Sequence, residues 1–151
     1  MIHVVLFEPD IPQNTGNIAR TCAITGAKLH LIRPLGFSID DRQVKRAGLD
    51  YWDKVELEVH DDLAAFCDKY PLPTYLLTSH GDKYYTQVEY EDECVIIFGS
   101  ETGGVPPALH EQFKEQRIKI PMRHRAGNRS LNLSNSAAIV IYEIWRQRSF
   151  L

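Results

Sequence analysis

Strand and helix signals alternate along nearly the whole chain, and this alternation restricts the fold more than any other feature. Residues 2–7, 29–32, 55–59, 74–78, 94–98 and 117–120 are β-rich apolar runs. Between them lie helical stretches at about 15–24, 40–47, 61–69, 107–114 and 133–148. Asn14 is placed to cap the first helix and Gly26 to stop it. Pro106 sits where a helix begins. Such an order predicts an α/β domain, a mostly parallel sheet flanked by helices. Val95-Ile-Ile-Phe98 and Tyr75-Leu-Leu77 are continuously apolar, as central parallel strands are. With 151 residues, no repeat and no linker, residues 1–151 read as a single domain. The last helix (Ala137, Ala138, Ile139, Val140, Ile141, Tyr142, Ile144, Trp145) is apolar nearly all round. A helix of that kind must be covered on more than one side, which points to a partner subunit.

Several classes are excluded. No apolar run approaches the length of a membrane span. The N-terminus reads as a strand and not as a signal peptide. Cys22, Cys67 and Cys94 lie far apart and outside any CxxC pair, as reduced thiols of a cytoplasmic protein do. The six histidines are scattered without ligand-like spacing, so no metal site is expected.

The net charge of −3 hides an asymmetry. No acid occurs between Glu115 and Glu143, a window holding Arg117, Lys119, Arg123, His124, Arg125 and Arg129. None occurs between Asp10 and Asp40 either, where Arg20, Lys28 and Arg33 lie. If the two windows meet in space they form one basic face, suited to a polyanion. The plainer alternative is a solvated basic loop.

Ligands in open α/β sheets bind beyond the carboxyl ends of the strands. Three loops emerge there: Thr78-Ser-His-Gly81, Gly99-Ser-Glu-Thr-Gly-Gly104, and the basic segment from Pro121 to Ser130. The glycine pattern is neither GxGxxG nor a Walker A box, so no common nucleotide fingerprint applies. The stretch Asn128-Arg-Ser-Leu-Asn-Leu-Ser-Asn-Ser-Ala-Ala-Ile139 runs from a polar head straight into an apolar helix. The unpaired N–H groups of such a helix start favour a ligand site.

Asn14-x-Gly-Asn-Ile-Ala-Arg20, Phe98-Gly-Ser-Glu-Thr-Gly-Gly104 and Ile120-Pro-Met122…Arg129-Ser-Leu-Asn-Leu-Ser134 resemble the three ordered motifs of the SPOUT superfamily of RNA methyltransferases. Glu8-Pro-Asp-Ile-Pro-Gln-Asn-Thr-Gly-Asn17 and Arg46-Ala-Gly-Leu-Asp-Tyr51 narrow the resemblance to the tRNA (cytidine(34)-2′-O)-methyltransferase family. The resemblance covers essentially the whole chain. It implies a C-terminal deep trefoil knot, S-adenosyl-L-methionine as cofactor, and a homodimer whose sites are completed by the other subunit. The implied reaction is 2′-O-methylation of the wobble nucleotide of tRNA, cytidine or modified uridine, in leucine isoacceptors. The alternatives are another tRNA or ribosomal RNA site, or an RNA-binding module of the same fold without chemistry.

By the same resemblance, Leu77, Gly99, Ile120 and Ser130 match the positions that hold the cofactor. Met122 and Leu131 would be apolar walls, and Glu101 a polar contact at the rim or a stabiliser of its turn. Arg20 matches the motif arginine near the target hydroxyl. A guanidinium is normally too basic to accept a proton, so its first role is to clamp a phosphate and stabilise developing alkoxide charge; the family analogy adds general-base action. Asn14, Asn132 and Ser130 would orient the reacting groups. Arg123, Arg125 and Arg129, with His124, would meet the RNA backbone. Their loop is longer and more basic than is usual for the family.

Overall fold

The computed structural model describes residues 1–123 and 131–151. The elements run β1 (Ile2–Phe7), α1 (Pro12–Thr25), β2 (Lys28–Ile32), α2 (Arg42–Gly48), a 3-10 helix (Leu49–Lys54), β3 (Leu57–His60), α3 (Leu63–Lys69) and β4 (Thr74–Leu77). They continue through β5 (Lys83–Tyr84), β6 (Cys94–Phe98), α4 (Pro107–Gln112), a 3-10 helix (Lys114–Gln116), β7 (Arg117–Lys119) and α5 (Leu133–Gln147). One sheet holds the seven strands in the order β3-β2-β1-β6-β4-β7-β5. Every pairing is parallel, so all carboxyl ends point to one edge.

The central strands explain their own composition. β1 and β6 are buried along their full length, and successive residues point to opposite faces. Val4, Leu6, Ile96 and Phe98 pack with Ile18, Ala19 and Cys22 of α1 and Ala137, Val140, Ile141 and Ile144 of α5. Val5, Phe7, Val95 and Ile97 pack on the other face with Leu63 and Phe66 of α3 and Phe113 after α4. Each fully buried aliphatic side chain contributes about 1.5–3 kcal/mol. An alternating strand could serve only one face; these runs serve two.

Helix ends follow local chemistry in three cases. Gly26 adopts φ 80° and its N–H bonds the Cys22 carbonyl at 2.9 Å, ending α1 as the sequence predicts. Asp62 caps α3 by accepting from the Ala65 N–H at 2.8 Å. Asn132 caps α5. The start of α1 differs from expectation. The helix begins at Pro12, and Asn14 lies inside it instead of capping it. Proline at the first turn costs nothing, because its missing N–H would be unpaired there anyway.

α5 is less uniformly covered than its sequence suggests. Val140, Ile141 and Ile144 are fully buried, whereas Tyr142 remains exposed. Buried Glu143 interrupts the apolar surface, held by Arg146 at 2.8 and 3.0 Å and by Gln147 at 2.9 Å.

Three of the histidines, His3, His30 and His60, are far apart in sequence and meet in space. His3 Nδ1 lies 2.9 Å from His30 Nε2, His30 Nδ1 lies 2.9 Å from His60 Nε2, and His3 Nε2 lies 3.0 Å from Glu93 Oε1. An ionised carboxylate only accepts, so His3 carries its proton on Nε2. His30 and His60 must then donate from Nε2 in turn, and the row runs in one direction. Parallel register brings three residues on β1, β2 and β3 onto one face. Among the described residues, His30, Glu58 and His60 have donor atoms within 4.8 Å of one another, a grouping that sequence spacing did not reveal. Glu58, however, pairs with Lys28 and Lys69 and accepts from the Tyr70 hydroxyl at 2.6 Å. Those cationic and phenolic partners compete with any metal ion for the carboxylate.

Candidate active site

The strand order reverses direction at β1 and β6, and such a switch point opens a crevice at the carboxyl edge. The loops after β1, β4, β6 and β7 all emerge there. They enclose a cavity of about 470 Å³, lined by residues of each loop and by the start of α5. That volume falls in the usual range for small-molecule and cofactor sites.

A line of hydrogen bonds joins residues that line this cavity. The N-terminus of α1 has no side-chain cap of its own. Glu101, from the loop after β6, supplies the acceptors: the N–H groups of Asp10 and Ile11 donate to its carboxylate at 3.1 and 2.6 Å. A negative group at a helix N-terminus is also favoured by the helix dipole. Asn14 Nδ2 donates to the same carboxylate at 3.4 Å, and Asn132 Nδ2 donates to Asn14 Oδ1 at 3.2 Å. Asn132 Oδ1 then accepts from the N–H groups of Ser134 and Asn135 at 2.9 and 3.3 Å and from Ser134 Oγ at 2.6 Å. Three distant segments are tied together by three polar side chains.

The glycine-rich turn is closed on itself. Ser100 and Gly104 exchange backbone hydrogen bonds at 3.0 and 2.9 Å, and Gly104 adopts φ 61°. A Cβ on Gly99 would come within 2.8 Å of the Gly104 backbone, so this approach requires glycine. Ser100 Oγ donates to Asp10 Oδ2 at 2.6 Å, and Thr102 Oγ1 donates to the same oxygen. These two hydroxyls hold the Asp10 carboxyl below its ordinary pKa.

Of the residues singled out in the sequence, Asn14, Leu77, Gly99, Glu101, Ile120, Met122, Leu131 and Asn132 all line the cavity. Arg20 is on the exposed side of α1 and is not among the lining residues. Arg123 is exposed at the end of the described segment. His124, Arg125, Arg129 and Ser130 lie outside the described residues. The basic face is narrower than the charge windows suggest: Lys28 pairs with Glu58 at 3.2 Å and Arg33 with Asp61 at 2.9 Å.

Two lining residues were not predicted. His110, on α4, and Val105 line the cavity beside the predicted loops. The His80 and His110 rings stand 6.3 Å apart, and the buried His110 Nδ1 has no hydrogen-bond partner among the described residues. The motifs fall on loops after strands, whereas His110 is carried by α4, outside every motif. The wall therefore offers apolar surface, glycine backbone and an unpaired imidazole nitrogen, a lining that fits a bulky, partly polar cofactor.

The chain matches the model of the SpoU rRNA Methylase family over residues 1–142. The tRNA (cytidine(34)-2′-O)-methyltransferase of Methylovorus glucosotrophus is 46% identical, covering 99% of this chain and 97% of that protein. The protein of the same name from Burkholderia pseudomallei is 48% identical, with 99% and 97% covered. A structure described as giving insight into 2′-OH methylation of C/U34 on tRNA superposes with a TM-score of 0.92 at 40% identity, covering 100% of this chain and 98% of that one. The SpoU methyltransferase AviRb from Streptomyces viridochromogenes, in complex with the cofactor AdoMet, shares the fold with a TM-score of 0.88 at 23% identity, covering 97% of this chain and 57% of that one.

The fold and site thus define a SpoU-type methyltransferase. Within that class, the chain belongs to the tRNA (cytidine(34)-2′-O)-methyltransferase family.

Proposed function

We propose that this chain transfers a methyl group from S-adenosylmethionine to the ribose 2′-hydroxyl of the wobble nucleotide of tRNA, a cytidine or modified uridine at position 34, with leucine isoacceptors among its substrates. The observation that carries the reading is the bonded line Glu101–Asn14–Asn132 in the lining of the carboxyl-edge cavity. It joins three motif segments in a chain whose full-length relatives carry the name of that reaction.

The cofactor supplies an electrophilic methyl group on a sulfonium. Leu77, Gly99, Ile120, Met122 and Leu131 would hold it by backbone and apolar contact, with Glu101 at the rim and Ser130 assigned by resemblance. Asn14 and Asn132 fix each other's amide orientation and would position the ribose, since in-line transfer depends strongly on placement. Arg20 would clamp the adjacent phosphate and stabilise alkoxide charge. Its place outside the cavity lining suits a group that meets RNA instead of cofactor. Arg123, with Arg125 and Arg129, would contact the RNA backbone, giving affinity that is salt-dependent and indifferent to sequence.

The protein would act as a cytoplasmic homodimer formed by one domain with a knotted C-terminal part. Tyr142, Trp145 and Phe150 support the dimer: Tyr142 and Phe150 are 41% and 53% exposed, and the Trp145 ring stands 5.7 Å from Tyr142 and 5.3 Å from Phe150, beyond the end of α5. No helix among the described residues is long and apolar enough to cross a membrane. A ribosomal RNA substrate is the second reading, favoured by the description of the family model. Transfer of labelled methyl to bulk tRNA and to ribosomal RNA, followed by nucleoside analysis, tests both.

A further inference from the structure

We infer that Asp10 is a positioning residue for the cofactor: its carboxylate holds the 99–104 turn in its gripping shape, although Asp10 is not among the residues lining the cavity. The inference rests on the assignment of S-adenosylmethionine to this cavity and extends it to a residue behind the cavity wall.

Residue 10 adds three bonds to the turn beyond the turn's own backbone closure. Asp10 Oδ2 accepts from Ser100 Oγ at 2.6 Å and from Thr102 Oγ1, while the Asp10 N–H donates to Glu101 Oε1 at 3.1 Å. Three consecutive residues of the turn are therefore held by one residue of another loop. Ser100 and Glu101 line the cavity. With its proton committed to Asp10, Ser100 Oγ presents lone pairs inward, where the N–H groups of Thr102 and Gly103 donate at 3.3 and 3.4 Å. The carboxylate thus directs the serine, and the serine organises the turn's own amides. Behind Asp10, the Gly36 N–H donates to the Pro9 carbonyl at 2.9 Å, and a Cβ on Gly36 would meet the Asp10 Cα at 2.9 Å. The loop after β2 therefore backs Asp10 closely. A turn containing Gly99, Gly103 and Gly104 has little stiffness of its own. Fixing it before the cofactor arrives saves ordering entropy on binding.

Both hydroxyls donate to the same carboxylate oxygen, so an amide oxygen in that place can accept from both. The test is calorimetric titration of the purified chain with S-adenosylmethionine and with its neutral product, S-adenosylhomocysteine. D10A should weaken both about tenfold, the effect of one to two lost hydrogen bonds. D10N should stay within about threefold of the parent for both. In turnover, D10A should raise the KM for the cofactor with kcat nearly unchanged. Parent-like binding by D10A overturns the inference. So does D10N as weak as D10A, or loss confined to the sulfonium ligand, since either would mean that the charge acts directly. Should D10A fail to fold, Thr102→Val removes one donor at an exposed position; cofactor affinity about threefold weaker supports the inference, and unchanged affinity overturns it. Failure of the unmodified chain to bind either ligand would count against the cofactor assignment instead.

Discussion

Asn132 Nδ2 donates to Asn14 Oδ1 at 3.2 Å across 118 residues of chain, so the start of α5 is bonded to a side chain inside α1. Each asparagine has a second engagement: Asn14 with Glu101 and Asn132 with the first N–H groups of α5. The pair should therefore act as one unit. N14A and N132A should each lower kcat, and the double variant should fall well short of the product of the two effects. N132A should also lose about 1 kcal/mol of stability with its cap, which chemical denaturation measures. Multiplicative effects on kcat would mean that the two side chains act independently.

Arg20→Ala should abolish transfer, with at least a hundredfold loss expected from removal of a transition-state charge partner. Cofactor affinity should be retained, because Arg20 is outside the cavity lining. Calorimetry with S-adenosylmethionine beside a methyl-transfer assay separates the two effects. Normal turnover would remove Arg20 from the reaction.

The histidine row makes stability depend on pH. Burial, with smaller contributions from the neighbouring His3, His60 and Lys28, pushes His30 from 6.5 down to about 3; His60 is lowered too, again first by burial. The folded state thus binds fewer protons than the unfolded state below pH 6.5. The stabilisation is fully present above pH 6.5 and is lost as pH falls from 6.5 towards 3. A fully differential group gives a slope of up to about 1.4 kcal/mol per pH unit. Glu58, held at about 2 chiefly by Lys69 and Tyr70, adds its own loss below pH 4.5. Urea denaturation between pH 7 and 4 should show the decline. His30→Gln, which hydrogen-bonds without titrating, should flatten it. Equal slopes would contradict this account.

Tyr142 is exposed on α5, and its ring lies 5.7 Å from Trp145. Tyr142→Glu places a charge on the surface assigned to the partner subunit. Sedimentation should find the parent dimeric and this variant monomeric and inactive. An active monomer would break the link between dimer and site.

The sequence exposes what depends on near neighbours. The apolar run 94–98 has the bounds of β6, and Gly26 stops α1 where its φ of 80° is needed. The start of α1 was misread at Asn14 because its acceptors come from Glu101, some 90 residues away. Capping rules look only a few residues along the chain. β5 was missed for a related reason: its two residues pair with β7 at the sheet edge and carry no periodic signal. The histidine row follows from strand register, which links positions 3, 30 and 60 without any local spacing. In the site, the motif residues on loops were legible. His110 was not, because a surface-like helix carries it into the cavity.

The central claim is methylation of the wobble ribose, and mapping the product tests it most directly. Labelled methyl from S-adenosylmethionine should appear on bulk tRNA. Nucleoside analysis should find it as a 2′-O-methylated cytidine or uridine derivative, located at position 34. Label at another position, or on ribosomal RNA alone, would contradict the account.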